Sequence, residues 1–578
     1  MKRILFICFL FSISLGYSNN DSLVIKPWDQ MSFLPDSNNY NLFFGGPSSI
    51  YKSIFFDFDK LPIFSDHPFF GPEQQDVLNV KPKVPIVDAQ YLLGAQSEQN
   101  LAIYHTQPIS RKSNYSLSYL NRSHGGYFNN QLTNSNFLQA NYFTSSKKEK
   151  YKLHSGLKYH RIYNRQNGGI KNDSNFTNSS DLFLNRLLID VNMDFAYSND
   201  KLMKIFVNQS FQLKSYTDSS FNNSNFLDLQ LEFKRKSRNY YDSLSASHFL
   251  YNNYDSVVSN DTIEKNIFFS RLSYMNSFSR DSVQRTILIG LNSELIKHNN
   301  LLIDTLFNNY FFESKATLLS NKNSLSFLTE YYLSGFKKNN YKVELNASRK
   351  ISNNINFKTH FSFNEHRPTY EIQQYLSNHL VWNNLFENMF AFSAFGKLEI
   401  GNVLFKVNYN DVKRPIYFDE LSFPQQFSGT SQVIQTSLNY KINRKRIDIL
   451  AEAIHQYQGG GQIFQLPEII GQLKLNYKLV RKKSDFSLLL GLNGRYYSSF
   501  NLMNYSPTIN NFTISNKRLQ SSYFILDFIA KTKIQDVTLF AMVSHLNSGL
   551  MGYNYFTALN YPSPDRYIKF GIKWLFLN

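Results

Sequence analysis

The sequence predicts an all-β protein: a transmembrane antiparallel β-barrel of the outer-membrane type, with about 22 strands and an irregular N-terminal segment. Three observations support this fold class. The C-terminal strand has one fully apolar face, a long series of segments alternates between apolar and polar residues, and the connections between them alternate in length. The strand number has an expected range of 16 to 24, and a single-chain bacterial barrel should have an even number.

The C-terminal strand shows the pattern most clearly. Its apolar positions are every second residue, namely Ile568, Phe570, Ile572, Trp574 and Phe576. The residues between them include Lys569, Gly571 and Lys573, and a strand directs successive side chains to opposite faces. Lipid on one side and water on the other would suit this pattern; a soluble sheet remains the alternative. Trp574 and Phe576 at the chain end are similar to the barrel-assembly signal of bacterial outer-membrane proteins.

Composition is compatible with a barrel and disfavours several other classes. The 578 residues are 42% hydrophobic, and 16% are aromatic, as expected where aromatic girdles meet the membrane interfaces. The mean hydropathy of −0.37 shows no membrane bias, because alternation cancels in any window. The net charge is +18, but Lys and Arg are scattered singly, so no nucleic-acid partner is expected. Cys8 is the only cysteine, which excludes a disulfide framework.

The N-terminal part divides into two expected segments. Residues 1–18 predict a signal peptide, with Lys2 and Arg3 before a short apolar run. Residues 19–84 are rich in proline and predict an irregular segment that is too short for the plug of an energised transporter. Residues 85–578 predict the transmembrane barrel. No stretch outside the leader approaches the length of apolar sequence that a membrane-spanning helix needs.

From Ile86 onward, segments of alternating polarity follow one another. In 151–160, for example, Tyr151, Leu153, Leu157 and Tyr159 oppose Lys152, His154, Lys158 and His160. Similar segments are predicted near 187–197, 340–349, 355–364 and 469–478. Short turns, such as Ser198 to Asp200, are expected to alternate with long loops at 164–184, 252–265, 365–386, 411–429, 498–518 and 546–565. Short turns at one end and long loops at the other are typical of outer-membrane barrels. Tyr370 to Leu385 is expected to be a folded loop or a lumen constriction.

A series of short motifs resembles a known family. It runs through Asn41-Leu42-Phe43-Phe44-Gly45-Gly46, Tyr104-His105-Thr106-Gln107, His124-Gly125-Gly126-Tyr127-Phe128 and Asn167-Gly168-Gly169-Ile170, and ends in Gly571-Ile572-Lys573-Trp574-Leu575-Phe576. In order and spacing these motifs resemble the putative porin family of Bacteroidetes outer-membrane proteins. The resemblance implies a porin-like barrel in the outer membrane of a Gram-negative bacterium. It supports location and fold more than any substrate.

Candidate catalytic and metal-binding residues do not form a known pattern. His105, His124, His154, His160, His360 and His455 are the histidines that an enzyme of the barrel class could use, but a hydrated lining accounts for them. No nucleophile elbow or metalloprotease motif occurs. Two acidic groups could bind a hard cation, Asp57 with Asp59, and Asp190 with Asn192 and Asp194, but neither has a third converging ligand. We therefore expect no enzyme activity, cofactor or metal.

The polar faces of the predicted strands carry more cations than anions. The lysines expected to line a pore are Lys152, Lys158, Lys342, Lys358, Lys406, Lys441, Lys474, Lys569 and Lys573. The opposing acids are Asp190, Asp194, Asp228, Glu232, Glu344, Asp448 and Glu452. An excess of cations attracts anions to a lumen. This predicts a passive channel for small polar solutes with a mild preference for anions, unless the charges pair across strands.

Three alternatives remain open at this point: a non-conducting barrel that acts as an adhesin or scaffold, plugged by its own loops; a barrel enzyme; and a soluble exported β-protein. The expected partners are outer-membrane lipid and lipopolysaccharide, the barrel-assembly machinery and small polar solutes. A homo-oligomer is compatible with the sequence, although nothing in it marks an interface.

Overall fold

The computed structural model describes residues 41–43, 51–53, 84–178, 184–218, 221–243, 255, 257–481 and 486–577. The expected signal peptide and most of segment 19–84 lie outside these residues. Within segment 19–84 one small ribbon is described, Asn41–Phe43 paired with Tyr51–Ser53. Lys2, Arg3, Cys8, Asp57 and Asp59 all lie outside the described part of the chain.

Twenty-two antiparallel strands of the described chain form one closed barrel, which confirms the predicted fold class and strand number. The first eleven are β1 Ile86–Gly94, β2 Glu98–Ser110, β3 Ser113–His124, β4 Thr133–Ser145, β5 Tyr151–Gln166, β6 Ala196–Thr217, β7 Phe221–Ser243, β8 Val258–Arg280, β9 Val283–Asn300, β10 Ile303–Leu319 and β11 Asn323–Ser334. The others are β12 Tyr341–Ser352, β13 Ile355–His366, β14 Met389–Ile400, β15 Val403–Lys413, β16 Thr430–Asn443, β17 Ile447–Gly460, β18 Ile469–Arg481, β19 Phe486–Tyr497, β20 Tyr523–Ile534, β21 Val537–Ser544 and β22 Tyr567–Leu577.

The barrel closes where the first and last strands meet. In β22 the register places Leu577 opposite Ile86 and Lys569 opposite Gly94, while the other edge of β22 pairs with β21. Closure leaves no free sheet edge, which a lipid environment requires because no water is there to bond exposed backbone groups. The alternating C-terminal strand is therefore the element that completes the ring.

Burial is inverted relative to a soluble protein, and this identifies the two faces of the wall. In β5, Leu157 and Tyr159 are exposed, whereas Lys158 and His160 between and beside them are buried. In β22, Phe570 and Trp574 are exposed and Lys573 is buried. Apolar side chains face outward and polar side chains face inward, as expected for a wall between lipid and water.

The two ends of the barrel differ as predicted. Short connections among the described residues join neighbouring strands at one end, which we call the turn end: 111–112, 146–150, 281–282, 320–322, 353–354, 401–402, 444–446 and 535–536. The other end, which we call the loop end, carries the long connections 167–195, 367–388, 414–429, 498–522 and 545–566, together with shorter ones. By the usual arrangement of such barrels, the loop end faces the cell exterior.

Three predictions about local structure are wrong. The loop expected at 252–265 is strand β8 from Val258 onward. Residues Ser198 to Asp200 are not a turn but belong to β6, and the expected strand near 187–197 is mostly loop, with a short 3-10 helix at Arg186–Leu188. Strand β6 has more residues than the roughly ten that suffice for a strand to cross a membrane, so its outer end extends beyond the membrane. Because this outer end is in water, its residues are polar like those of a turn, although the backbone is extended.

Within the described ranges, helices are few and short. Helix α1 spans Asp173–Thr177 and helix α2 spans Tyr370–Gln373, both in loops at the loop end. Among the same residues, no helix combines the length and the hydropathy of a membrane span.

Candidate functional site: the channel lining and the loop layer

All nine lysines predicted as pore-lining lie on the face that carries the polar side chains, opposite the exposed apolar one. At least four of them have a carboxylate partner: Lys342 with Glu344 at 2.7 Å, Lys406 with Glu452 at 3.9 Å, Lys569 with Glu98 at 2.8 Å and Lys573 with Asp88 at 3.1 Å. These ion pairs, three across strands and one along β12, therefore compensate part of the predicted cationic excess.

A row of three lysines crosses neighbouring strands on this inward face. Lys358 of β13 is directly opposite Lys397 of β14, which is opposite Lys406 of β15. Lys397 binds Glu399 at 2.7 Å, whereas no described carboxylate lies within 4 Å of Lys358. Lys397 was not among the lysines predicted to line the pore. Alternation along a single strand does not show that lysines of neighbouring strands lie opposite one another. Like charges directly opposite each other repel, so this row concentrates positive potential.

A recess in the inner wall lies nearer the turn end, where β5 to β8 run side by side. The register places Lys152, Ser210, Asp228 and Ser273 in one row across these four strands. The next row includes Asn208 and Arg271, and residues of both rows line the recess.

Asn208 is a buried amide in the lining of this recess. Its side chain is 8% exposed, and neither its amide nitrogen nor its oxygen has a hydrogen-bond partner among the described residues. Buried amides are almost always bonded, so the recess suits a bound water.

At the loop end, the described residues of five loops fold together into what we call the loop layer: 167–178 with 184–195, 367–388, 414–429, 498–522 and 545–566. Two apolar clusters hold it together. One contains Phe176, Tyr497, Leu502 and Phe556, and the other is built around Trp382 with Ile372, Phe418 and Ile509. Backbone hydrogen bonds join the loops to one another: Ile170 N to Asn560 O at 2.8 Å, Ile514 N to Phe418 O at 2.9 Å, and Leu559 N to Met503 O at 3.0 Å.

The loop 367–388 is folded, which is one of the two alternatives predicted for Tyr370 to Leu385. It contains α2 followed by a ribbon in which Gln374–Leu376 pairs with Val381–Asn383. Trp382 stacks on Tyr375 with ring centroids 4.6 Å apart, and its indole nitrogen donates to the backbone oxygen of Glu371. The ribbon therefore carries the central aromatic residue of the second apolar cluster.

A buried ion pair anchors this loop to the barrel wall at β8 and β9. Lys265 of β8 donates to Glu371 of α2 at 3.1 Å, and His298 of β9 lies 3.5 Å from the same carboxylate. Both partners of the Lys265–Glu371 pair are buried. Because a buried charge requires its partner, the pair fixes the position of α2 against the wall.

A second anchor lies beside the first. Arg238 of β7 is 1% exposed and donates to the backbone oxygen of Pro507 at 2.6 Å, which ties loop 498–522 to the wall. These anchors join residues more than a hundred positions apart, and no sequence motif predicts them.

Ser259, His379 and Asp242 meet in the same region but do not form a catalytic relay. Ser259 Oγ lies 2.8 Å and Asp242 Oδ2 lies 2.6 Å from the same ring nitrogen, His379 Nε2. A Ser-His-Asp relay needs its serine and its aspartate on different ring nitrogens. The contacts instead hold the tip of the ribbon against β7 and β8.

The six candidate histidines are dispersed. His105 and His455 are on the outward face, which contradicts the inward position that an enzyme site would need. His124, His154, His160 and His360 face inward from different parts of the wall; His160 Nε2 lies 3.0 Å from Ser135 Oγ, and His360 Nδ1 lies 2.7 Å from Asn346 Oδ1. They do not converge on one site.

The acidic candidates are also separated. Asp190, Asn192 and Asp194 were expected to share a strand face and to line the lumen, but they lie in loop 167–195. Asn192 uses its amide to bind the backbone oxygen of Gly168. Within the described ranges, no three His, Cys, Asp or Glu side chains are placed to hold a metal ion.

The anchor at Glu371 should respond to acid. Burial alone would raise the pKa of the Glu371 carboxyl, but the charges of Lys265 and His298 and the hydrogen bonds it accepts hold the pKa below its ordinary value. A carboxyl with a depressed pKa stabilises fully above its ordinary pKa and loses that contribution as the pH falls through the lower, folded-state value.

We therefore expect the loop to stay docked from neutral pH down to the ordinary pKa of a glutamate and to detach only at a pH below it. The measurement is acrylamide quenching of Trp382 fluorescence in a variant with Trp28 and Trp574 replaced by phenylalanine. Glu371→Gln in the same background should lack this acid transition. A transition that persists in that variant would assign it to another group.

Several solved structures have a fold similar to that of this chain. Similar solved structures include the ferric-catecholate import receptor Fiu from E. coli K12, with a TM-score of 0.60 and 10% identity over 88% of this chain and 84% of that one. The FrpB iron transporter from Neisseria meningitidis has a TM-score of 0.58 and 9% identity, over 86% and 83% of the two chains. The ferric enterobactin receptor PfeA from Pseudomonas aeruginosa, in a mutant form, has a TM-score of 0.60 and 11% identity, over 86% and 81%.

These identities are too low to transfer a substrate, and they establish the fold alone. No curated protein matches the sequence. Residues 28–578, nearly the whole chain, match the family described as "Putative porin". Together with the 22-strand barrel, this match places the protein in the bacterial outer membrane. The chain belongs to the putative porin family.

Proposed function

We propose that this protein is a channel through which small polar solutes diffuse passively across the outer membrane, with the loop layer restricting its outer mouth. The observation that carries the proposal is the polar inward face, which combines charged rows with the recess at Asn208. Such a lining replaces the hydration of a polar solute, whereas an apolar lining would not.

A mild preference for anions is part of this proposal. Its support is the row formed by Lys358, Lys397 and Lys406, together with Lys441, which is exposed on the same face nearer the turn end. The row includes two carboxylate partners, Glu399 and Glu452, so its net charge is small. We therefore expect weak rather than strong selectivity.

The test is single-channel recording of the purified full chain in a planar bilayer. Stable steps of conductance are expected, with a small reversal potential in a potassium chloride gradient whose sign indicates anions. Lys358→Glu combined with Lys441→Glu should shift that potential towards cation preference, because two positive charges of the lining become negative. Lys322→Glu, in an exposed connection at the turn end, is the matched control for the change of charge.

The loop layer favours a second candidate, a barrel that does not conduct and presents its loops as an adhesin or scaffold. The two candidates make opposite predictions in the same experiment. A folded barrel without conductance under any condition that releases the loop layer would contradict the channel proposal and support the second candidate. Unchanged ion selectivity in the double variant would contradict only the anion preference.

A further inference from the structure

Two cations face each other on the outward surface of the barrel near the loop end. The register places Arg161 of β5 directly opposite Lys201 of β6, and both side chains are exposed. Directly opposed residues on one face of a sheet have their Cβ atoms about 5 Å apart, so like charges there destabilise the pair. The geometry of a strand pair does not by itself require two cations to lie opposite each other.

The described residues do not neutralise this pair. Arg161 donates to the side-chain oxygen of Asn199 at 2.9 Å, which is a neutral partner. Lys201 has no carboxylate within 4 Å in the described part of the chain. Arg235, on the next strand, already binds Glu264 at 2.8 Å. The surface therefore keeps two positive charges without a carboxylate partner.

The height of the pair on the wall indicates what lies next to it. On the outward face, a row that lies two rows closer to the turn end than the pair consists of four apolar residues: Leu157, Ile205, Phe233 and Phe268. The row between them and the pair contains Tyr159, Met203 and Arg235, and the row beyond the pair contains Asn199 and Asn239. The pair thus lies where the lipid-facing surface ends, with Tyr159 beside it on the membrane side.

We propose that Arg161 and Lys201 form a binding site for a phosphate group on a lipid of the outer leaflet, such as the sugar phosphates of lipopolysaccharide. A phosphate monoester carries a charge of about −1.5 to −2 near neutral pH, which matches the uncompensated charge of the pair. The loop end faces the exterior in barrels of this type, so the site is at the level of the outer-leaflet headgroups. The apolar row below it accommodates the acyl chains of the same molecule.

The test uses the full chain in detergent and native mass spectrometry with bisphosphorylated lipid A as the probe. Arg161→Gln with Lys201→Gln is expected to weaken binding by about tenfold or more, as the loss of charge-assisted hydrogen bonds implies. Arg161→Lys with Lys201→Arg keeps both charges and should retain binding. Arg285→Gln removes an exposed outward cation near the turn end and should bind like the unmodified protein.

Two further probes separate the sources of phosphate. Dephosphorylated lipid A should bind as weakly to the unmodified protein as the bisphosphorylated lipid binds to the double glutamine variant. Inorganic phosphate at millimolar concentration should not displace the lipid, because it lacks the acyl chains. Equal binding of the dephosphorylated lipid, displacement by inorganic phosphate, or unchanged binding by the double glutamine variant would each overturn the proposal. Heat-modifiable migration confirms that each variant is folded.

Discussion

Glu371→Gln is expected to release loop 367–388 from the barrel wall and to increase single-channel conductance or the fraction of time spent open. The substitution leaves Lys265 charged and buried without its carboxylate partner. Breaking a buried ion pair from one side costs about 3–5 kcal/mol, and this cost opposes the remaining contacts that hold the loop, such as those of His379 with Ser259 and Asp242. Bilayer recording measures conductance, and limited proteolysis measures whether residues 367–388 have become accessible.

Two variants make this experiment specific. Glu420→Gln removes an exposed carboxylate of the same loop layer, which lies 3.7 Å from Lys517, and should change neither measurement. Lys265→Met added to Glu371→Gln removes the unpaired charge and should restore much of the docking, since an apolar replacement of a buried pair is often tolerated. If the loop becomes accessible to protease while conductance stays unchanged, the loop layer does not restrict the pore.

Leu291→Arg is expected to destabilise the folded barrel by about 2–4 kcal/mol, the cost of a cation on the lipid face near the membrane midplane. Leu291 lies at the middle of β9, faces outward and is 63% exposed. The measurement is the free energy of unfolding in lipid vesicles, obtained by denaturant titration of the heat-modifiable form.

Leu302→Arg is the matched control. Leu302 is 91% exposed in the short connection 301–302 at the loop end, beyond the membrane. The same change of side chain there should alter stability by no more than about 0.5 kcal/mol. Equal costs at the two positions would mean that the apolar surface of β9 does not face lipid, and would contradict the assignment of the outward face.

The sequence predicted the wall of the barrel well because the wall repeats one simple rule. Each strand must place apolar residues towards lipid and polar residues towards water, so period-two alternation shows which residues share a face. This is why the faces of β5, β13 and β22 follow directly from residues such as Leu157, Phe361 and Trp574. The family match over residues 28–578 is consistent with the same pattern.

Boundaries and loops were predicted less well, and β6 shows why. Its outer end, Ser198 to Asp200, is polar because it extends beyond the membrane, where the alternation no longer carries information. Residues 187–195 have the reverse problem: an accidental alternation of apolar and polar residues suggested a strand, but they pack against other loops of the loop layer. Ile189 and Val191 are buried there.

The sequence by itself determined the closed barrel, its location and the inward position of the predicted lysines, since these depend on local alternation and on the order of strands and turns. Only the tertiary structure decided which charges meet. The opposition of Arg161 and Lys201, the row from Lys358 to Lys406 and the anchor between Lys265 and Glu371 all depend on cross-strand register or on loop docking. Such contacts join residues that are distant in the chain, and alternation within a strand carries no information about its partner.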